Sequence, residues 1–199
     1  MLLFQKGTVT AELKELSTRY FSPADDSIDG WEAYSIPMGN GFIGANIFGR
    51  TDRERIQITQ NSFVASNDEG GLTDFAELYF EFGHDTAENY ERKLNIDNAL
   101  ASVHYSCGGV KYEREYFISY PDRVMAVKFT ASKDGMLNFT YSPTIPFVRD
   151  YAKTPGDGGG RTANIECSGR KAIIYGQMNC YRLQYAISTS VESDGTISS

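Results

Sequence analysis

The stretch Trp31-Glu-Ala-Tyr-Ser-Ile-Pro-Met-Gly-Asn-Gly-Phe-Ile-Gly-Ala-Asn-Ile-Phe-Gly49 predicts a sharp turn between two short apolar segments. Pro37 cannot donate a backbone hydrogen bond, which places it at the edge or the entry of a strand. Gly39-Asn40-Gly41 supplies residues that tolerate positive φ, as a tight turn requires. Residues 42–48 then alternate as a strand, with Ile43, Ala45 and Ile47 on one face. This order of residues indicates β-structure with a sharp bend at the turn.

The rest of the chain continues the β pattern. Alternating apolar and polar residues predict further strands over residues 54–60, 78–82, 100–105, 110–117, 125–129, 136–141, 171–178 and 181–191. The segment 87–94 is the best helix candidate, and Ser106-Cys-Gly-Gly109 predicts a hairpin turn. About ten short strands at regular spacing, with almost no helix, are typical of an all-β antiparallel sandwich or barrel.

Composition excludes several classes of function. The 199 residues carry a formal charge of −7 and no Lys/Arg cluster, which argues against a nucleic-acid partner. No apolar run approaches the roughly 20 residues that span a bilayer, and no signal peptide is visible. Three scattered cysteines without a CxxC spacing predict neither a disulfide framework nor a structural zinc site.

Candidate catalytic residues are few. His84 and His104 are the only histidines, and no Ser or Cys stands in a nucleophile-elbow context. Because a glycosidase carboxylate pair is defined in space, the acidic residues Asp25-Asp26, Asp68-Glu69, Glu113 and Glu115 stay open as candidates. The glycines at 39, 41 and 44 are followed by a strand and not by a helix, which excludes a phosphate loop.

An ordered series of motifs resembles the N-terminal β-domain of glycoside hydrolase family 95, the α-L-fucosidase family. It comprises Trp31, residues 37–49, Glu54-Arg-Ile-Gln-Ile58, residues 90–105 and residues 109–124. The chain departs from the family after Ile58, where Thr59-Gln-Asn-Ser-Phe-Val64 replaces a segment that usually holds a Glu and a Trp. Beyond residue 145 only a general β pattern continues.

The resemblance implies an antiparallel two-sheet supersandwich that forms one N-terminal domain over residues 1–199. Asp194-Gly195 suggests a turn into an unfinished strand, so we expect this domain to be incomplete at its C-terminus. In the family an (α/α)₆ helical barrel carries catalysis, so no residue here inherits a catalytic role and neither cofactor nor metal is implied. The implied partners are the missing catalytic domain and, through the parent enzyme, a fucosylated or related oligosaccharide. The localisation of the parent stays open, with a periplasmic or secreted protein as one alternative.

The resemblance also implies three contact candidates, Trp31, Asn40 and Asn61, at the substrate rim or the domain interface. Trp31 could stack on a sugar ring, but a lone Trp is more often a packing anchor. A second hypothesis is a free-standing carbohydrate-binding module, although a single Trp supports it weakly. A third is a small metal-dependent jelly-roll enzyme.

Overall fold

The computed structural model describes residues 15–64, 72–146, 161–178 and 182–198. Its thirteen described strands form three antiparallel sheets. The first sheet has the order β1-β6-β7-β8-β9 and contains Ser17–Tyr20, Glu88–Asn95, Leu100–Cys107, Val110–Ser119 and Val124–Ala131. The second has the order β10-β5-β4-β3-β2 and contains Thr140–Thr144, Leu72–Glu81, Arg53–Val64, Ile43–Ile47 and Ile36–Gly39. The third has the order β11-β12-β13 and contains Arg161–Ser168, Lys171–Met178 and Gln184–Ser190.

The opening stretch folds as its residues predict. β2 pairs antiparallel with β3, with Pro37 opposite Asn46 and Gly39 opposite Gly44. β2 is an edge strand of the second sheet, which is where a proline is tolerated. Ala45 and Ile47 are buried, so the predicted apolar face of this strand is confirmed.

The core lies between the first two sheets and confirms the all-β sandwich. Apolar side chains from both sheets share one cluster, including Ile56, Phe80, Val103 and Tyr116. Phe80 of β5 meets Phe129 of β9 edge-to-face at 5.0 Å between ring centroids. Removing these rings from water supplies the main force that holds the sheets together.

The third sheet packs against side chains of the second. Tyr185 packs edge-to-face on Phe63 at 5.1 Å, and the Tyr141 hydroxyl donates to Thr189 Oγ1 at 3.0 Å. The predicted strand 171–178 is confirmed as β12, whereas the described part of strand 181–191 begins at Gln184.

The predicted helix over 87–94 is wrong. The segment is β6, which pairs with β1 on one side and with β7 on the other. An eight-residue segment gains too little from isolated helix formation to resist two ladders of hydrogen bonds. The strand predicted over 136–141 starts only at Thr140, yet Leu137 and Phe139 still pack against the core.

Among the described residues, no helix is long and apolar enough to cross a membrane. The candidates Asp68 and Glu69 lie outside the described residues.

Candidate functional site

Asn40 holds the turn between β2 and β3. Its Oδ1 accepts hydrogen bonds from the backbone N–H of Phe42 at 2.9 Å and of Ile43 at 2.8 Å. Its Nδ2 donates to the backbone oxygen of Ser119, at the end of β8, at 2.7 Å. Since β8 belongs to the opposite sheet, Asn40 ties the two sheets together at this end. The side-chain oxygen and nitrogen are thus both occupied by the protein's own backbone.

Asn61 lies beside the same turn and is exposed. Its Nδ2 donates to the backbone oxygen of Gly41 at 3.0 Å, and its backbone N–H donates to Phe42 oxygen at 3.0 Å. The structure therefore brings together Asn40 and Asn61, two of the three predicted contact residues.

The turn between β8 and β9 completes this surface. The Arg123 guanidinium lies 4.9 Å from the centroid of the Phe42 ring, and Arg123 has a positive φ of 53°. Tyr120 in the same turn is 74% exposed. We call the surface formed by residues 40–42, Asn61, Tyr120 and Arg123 the turn rim. The motif Tyr120-Pro121-Asp122 predicts a turn, but nothing in the sequence indicates that this turn lies beside Phe42.

Trp31 lies away from the turn rim. It belongs to a single π-helical turn, Gly30–Tyr34, which precedes β2, whereas Asn40 follows β2. The two ends of a four-residue strand lie about 10 Å apart. Trp31 is 39% exposed and lies outside the core cluster, so it does not anchor that core.

A buried ion pair crosses the sandwich. Glu54 of β4 and Arg114 of β8 are both fully buried, with Glu54 Oε2 2.7 Å from Arg114 Nη1. Glu54 also accepts hydrogen bonds from Tyr116 Oη at 3.0 Å and from the backbone N–H of Gly49 at 2.8 Å. Burial raises the pKa of the Glu54 carboxyl, and the Arg114 guanidinium opposes that shift. Every described contact of Glu54 is internal, which favours a structural role.

His84 extends this network toward the surface. Its Nδ1 lies 2.8 Å from Tyr105 Oη, which accepts a hydrogen bond from Arg114 Nη2 at 2.7 Å. Burial and then the Arg114 charge lower the pKa of His84. Because Tyr105 Oη accepts a hydrogen bond from Arg114, its own hydroxyl proton is available for donation to His84 Nδ1. A ring nitrogen that accepts a hydrogen bond carries no proton, so this geometry favours the neutral form of His84.

A pair of carboxylates that the sequence did not single out lies on the face of the second sheet opposite the core. Gln57 Nε2 donates to Asp74 Oδ2 at 3.1 Å and to Glu77 Oε1 at 3.2 Å. Burial, and then the charge of Glu77, raise the pKa of Asp74. Burial also acts to raise the pKa of Glu77, but hydrogen bonds from Arg55 and Tyr79 lower it overall. Carboxylates with divergent pKa values are typical of acid–base pairs, so this pair requires a direct test.

The acidic candidates from the sequence are spread over separate surfaces. Asp25 caps Ser27, and Asp26 lies 3.5 Å from Arg55. Glu115 pairs with Lys128 at 3.2 Å on the exposed face of β8 and β9. In the described ranges, no three His, Cys, Asp or Glu side chains are grouped so as to hold a metal ion.

Comparisons with known proteins give the chain its family. Residues 61–199 match the model described as glycosyl hydrolase family 65, N-terminal domain. The chain is 30% identical over 150 residues to alpha-L-fucosidase 2 of Arabidopsis thaliana, covering 54% of this chain and 18% of that protein. It is 31% identical over 91 residues to the probable alpha-fucosidase A of Aspergillus niger, covering 45% of this chain and 10% of that protein. The chain thus spans less than a fifth of the length of these relatives.

The expected resemblance to the N-terminal domain of a fucosidase-like hydrolase is confirmed, although the matching model carries family number 65 and not 95. The chain belongs to the family of glycosyl hydrolase N-terminal domains described as family 65, and it is also similar in sequence to part of two α-fucosidases.

Proposed function

We propose that this chain is a non-catalytic N-terminal β-sandwich of a family 95 type α-L-fucosidase, and that it supports a separate catalytic domain. The observation that carries this proposal is the engagement of its buried acid, Glu54, whose carboxylate accepts hydrogen bonds from four donors of the protein itself. A carboxylate saturated in this way has no free position for a substrate oxygen or a water.

The turn rim is the surface that we assign to contact with the catalytic domain. Asn40 fixes the turn rigidly between the two sheets, while Tyr120 and Asn61 beside it remain exposed. A rigid support with exposed aromatic and amide groups is typical of an interface. In this proposal Asn40 positions the rim, and Asn61 and Tyr120 make the contacts.

Hydrolysis of an aryl α-L-fucoside by the purified chain tests the non-catalytic role. We expect no turnover above buffer, with an active α-L-fucosidase as positive control. Measurable turnover that Asp74→Asn abolishes would overturn the proposal and would assign catalysis to the Asp74–Glu77 pair. Turnover that Asp74→Asn leaves unchanged would overturn it as well.

The coding sequence downstream of Ser199 tests the supporting role. We expect a long stretch with helical periodicity, because the proposed catalytic partner is a helical barrel. A stop codon at that point, or a continuing β pattern without helices, would contradict the proposed partner and favour an independent module.

A further inference from the structure

Residues 21–34 form an exposed loop that carries large apolar side chains outward. Phe21 and Ile28 are each 73% exposed, Tyr34 is 52% exposed and Trp31 is 39% exposed. Loops of this kind ordinarily present polar residues to water. Four large apolar side chains within fourteen residues therefore indicate an interaction surface.

The loop is held rigidly from beneath by Arg92. This side chain is 1% exposed; its Nε donates to Ser22 oxygen at 2.8 Å, and its Nη1 donates to Tyr34 oxygen. Both ends of the loop thus meet at one guanidinium, which brings the backbones of residues 22 and 34 together. In the middle of the loop, the buried Ala24 donates to Phe48 oxygen at 2.9 Å.

The apolar part of the loop ends in a tightly closed π-helical turn. Ser35 N–H donates to Gly30 oxygen at 2.9 Å, and Ser35 Oγ donates to Trp31 oxygen at 2.6 Å. Gly30 is pressed so closely against the backbone of Asp25 that a Cβ would overlap it. A surface ordered before binding loses little conformational entropy when a ligand arrives.

The charge of the loop restricts its ligand. Residues 21–34 contain four carboxylates, Asp25, Asp26, Asp29 and Glu32, and no Lys or Arg. Of these, Asp26 is paired with two arginines outside the loop. Asp29 and Glu32 are exposed. Carboxylates repel phosphates and uronic acids but accept hydrogen bonds from hydroxyl groups, which favours a neutral polyhydroxylated ligand.

We propose that residues 21–34 are a binding platform for a neutral oligosaccharide or polysaccharide chain, with Trp31 and Tyr34 stacking on sugar rings. Aromatic side chains offer an apolar ring face, and Tyr and Trp add a polar group at the edge. Exposed rings on an open loop suit an extended chain that lies on the surface. The choice of a carbohydrate rests on the proposed function in a glycoside hydrolase, whereas the existence of the platform rests on the loop itself.

Tryptophan fluorescence of the unmodified chain tests the platform directly, since Trp31 is the only tryptophan. The chain is titrated with fucosylated neutral oligosaccharides up to millimolar concentration, and quenching by acrylamide is measured with and without ligand. We expect saturable protection of the emission by at least one neutral ligand and none by polygalacturonate. No protection and no calorimetric heat with any neutral sugar would overturn the proposal.

Variants then assign the binding to the loop. In affinity gels containing the neutral polysaccharide that binds, we expect Tyr34→Ala and Trp31→Ala to weaken retention about ten-fold, from the loss of one buried ring. Tyr34→Phe keeps the ring and should stay within about two-fold of the parent chain. Phe117→Ala is the matched control, because Phe117 is a 45% exposed aromatic on β8, outside the loop.

Several outcomes would contradict the platform. Equal weakening by Phe117→Ala, or no weakening by either loop variant, would place sugar binding elsewhere. A dimer in light scattering that dissociates in Trp31→Ala would show that the loop binds a second copy. A chain that binds a basic peptide but binds none of the sugars would also overturn the proposal. Hydrolysis of the aryl fucoside addresses the proposed function independently, so the two proposals can fail separately.

Discussion

Glu54 and Arg114 meet between the two five-stranded sheets, with 2.7 Å between Oε2 and Nη1 and both side chains fully buried. Glu54 stands on the core face of β4 with Ile56 and Ile58, while Arg114 stands on the core face of β8 with Tyr112 and Tyr116. Desolvating two charges is costly, and their attraction offsets this cost only while both partners are present. The pair therefore fixes how the two sheets face each other.

Replacing Glu54 should be severely destabilising. Glu54→Gln leaves the Arg114 charge buried without its counter-ion, and we expect a loss of about 3–5 kcal/mol in the free energy of unfolding. Urea denaturation of both proteins measures the difference. Lys128→Ala, which breaks the exposed Lys128–Glu115 pair, is the control and should cost about 1 kcal/mol or less. Similar losses in the two variants would contradict the structural role of the buried pair.

Replacing each of the two asparagines of the turn rim should reduce the stability of the protein by a different amount. Asn40→Ala removes three hydrogen bonds, one of them between the sheets, and we expect a loss of about 1–3 kcal/mol in the free energy of unfolding. Asn61→Ala removes two hydrogen bonds, both in exposed positions, so we expect about 0.5 kcal/mol or less. Thermal and urea unfolding distinguish them. The reverse order would mean that Asn61, and not Asn40, holds the turn.

Two glycines of the opening stretch provide a matched test of backbone strain and steric overlap. Both have positive φ, 83° at Gly41 and 71° at Gly49. A Cβ at Gly41 meets nothing within 4 Å, but at Gly49 it lies 2.6 Å from Tyr90 Oη. We expect Gly41→Ala to cost about 1–2 kcal/mol from backbone strain alone. Gly49→Ala should cost about 1–3 kcal/mol more, because Tyr90 and its neighbours must move. Equal losses of unfolding free energy for the two variants in urea denaturation would show that Tyr90 and its neighbours make room for a Cβ at Gly49 without cost.

Stability should decrease in acid partly through His84. Because burial and Arg114 lower the folded pKa of His84, the folded protein binds fewer protons than the unfolded chain. The stability that His84 contributes is fully present above its unfolded pKa of about 6.5 and is lost as the pH falls through its folded pKa. Below the folded pKa this contribution no longer changes with pH. His84→Gln should therefore show a smaller loss of unfolding free energy than the parent chain between pH 7 and pH 5.

The control for this pH dependence is His104→Gln, on the exposed face of β7. Every other titratable group is shared with the parent chain, so the difference between the curves of His84→Gln and the parent chain isolates His84. Identical pH profiles for His84→Gln and the parent chain would contradict the lowered pKa of His84.

Alternation and turn residues predicted most strands, because these patterns depend only on residues that are close together in the sequence. Alternation identified β4, β7, β8 and β12, and the glycines of the hairpins marked their ends. The segment of β6 failed because its partners β1 and β7 lie elsewhere in the sequence. Glu54 shares the parity of Ile56 and Ile58, a signal that could have revealed a buried acid. Arg114 likewise shares the parity of Tyr112 and Tyr116, but the pairing of Arg114 with Glu54 joins two sheets and could not be identified from either strand.

The sequence by itself determined an all-β chain with the bent hairpin at Asn40, and its ordered motifs predicted the N-terminal domain of a fucosidase-like glycosyl hydrolase. Only the tertiary structure decided that Asn40 reaches Ser119 across the sandwich, that Glu54 meets Arg114, and that Trp31 is exposed on a loop held by Arg92. The physical reason is the range of the interactions. Turn geometry and alternation act over a few residues, whereas these contacts join residues 60 to 80 positions apart once the sheets have packed.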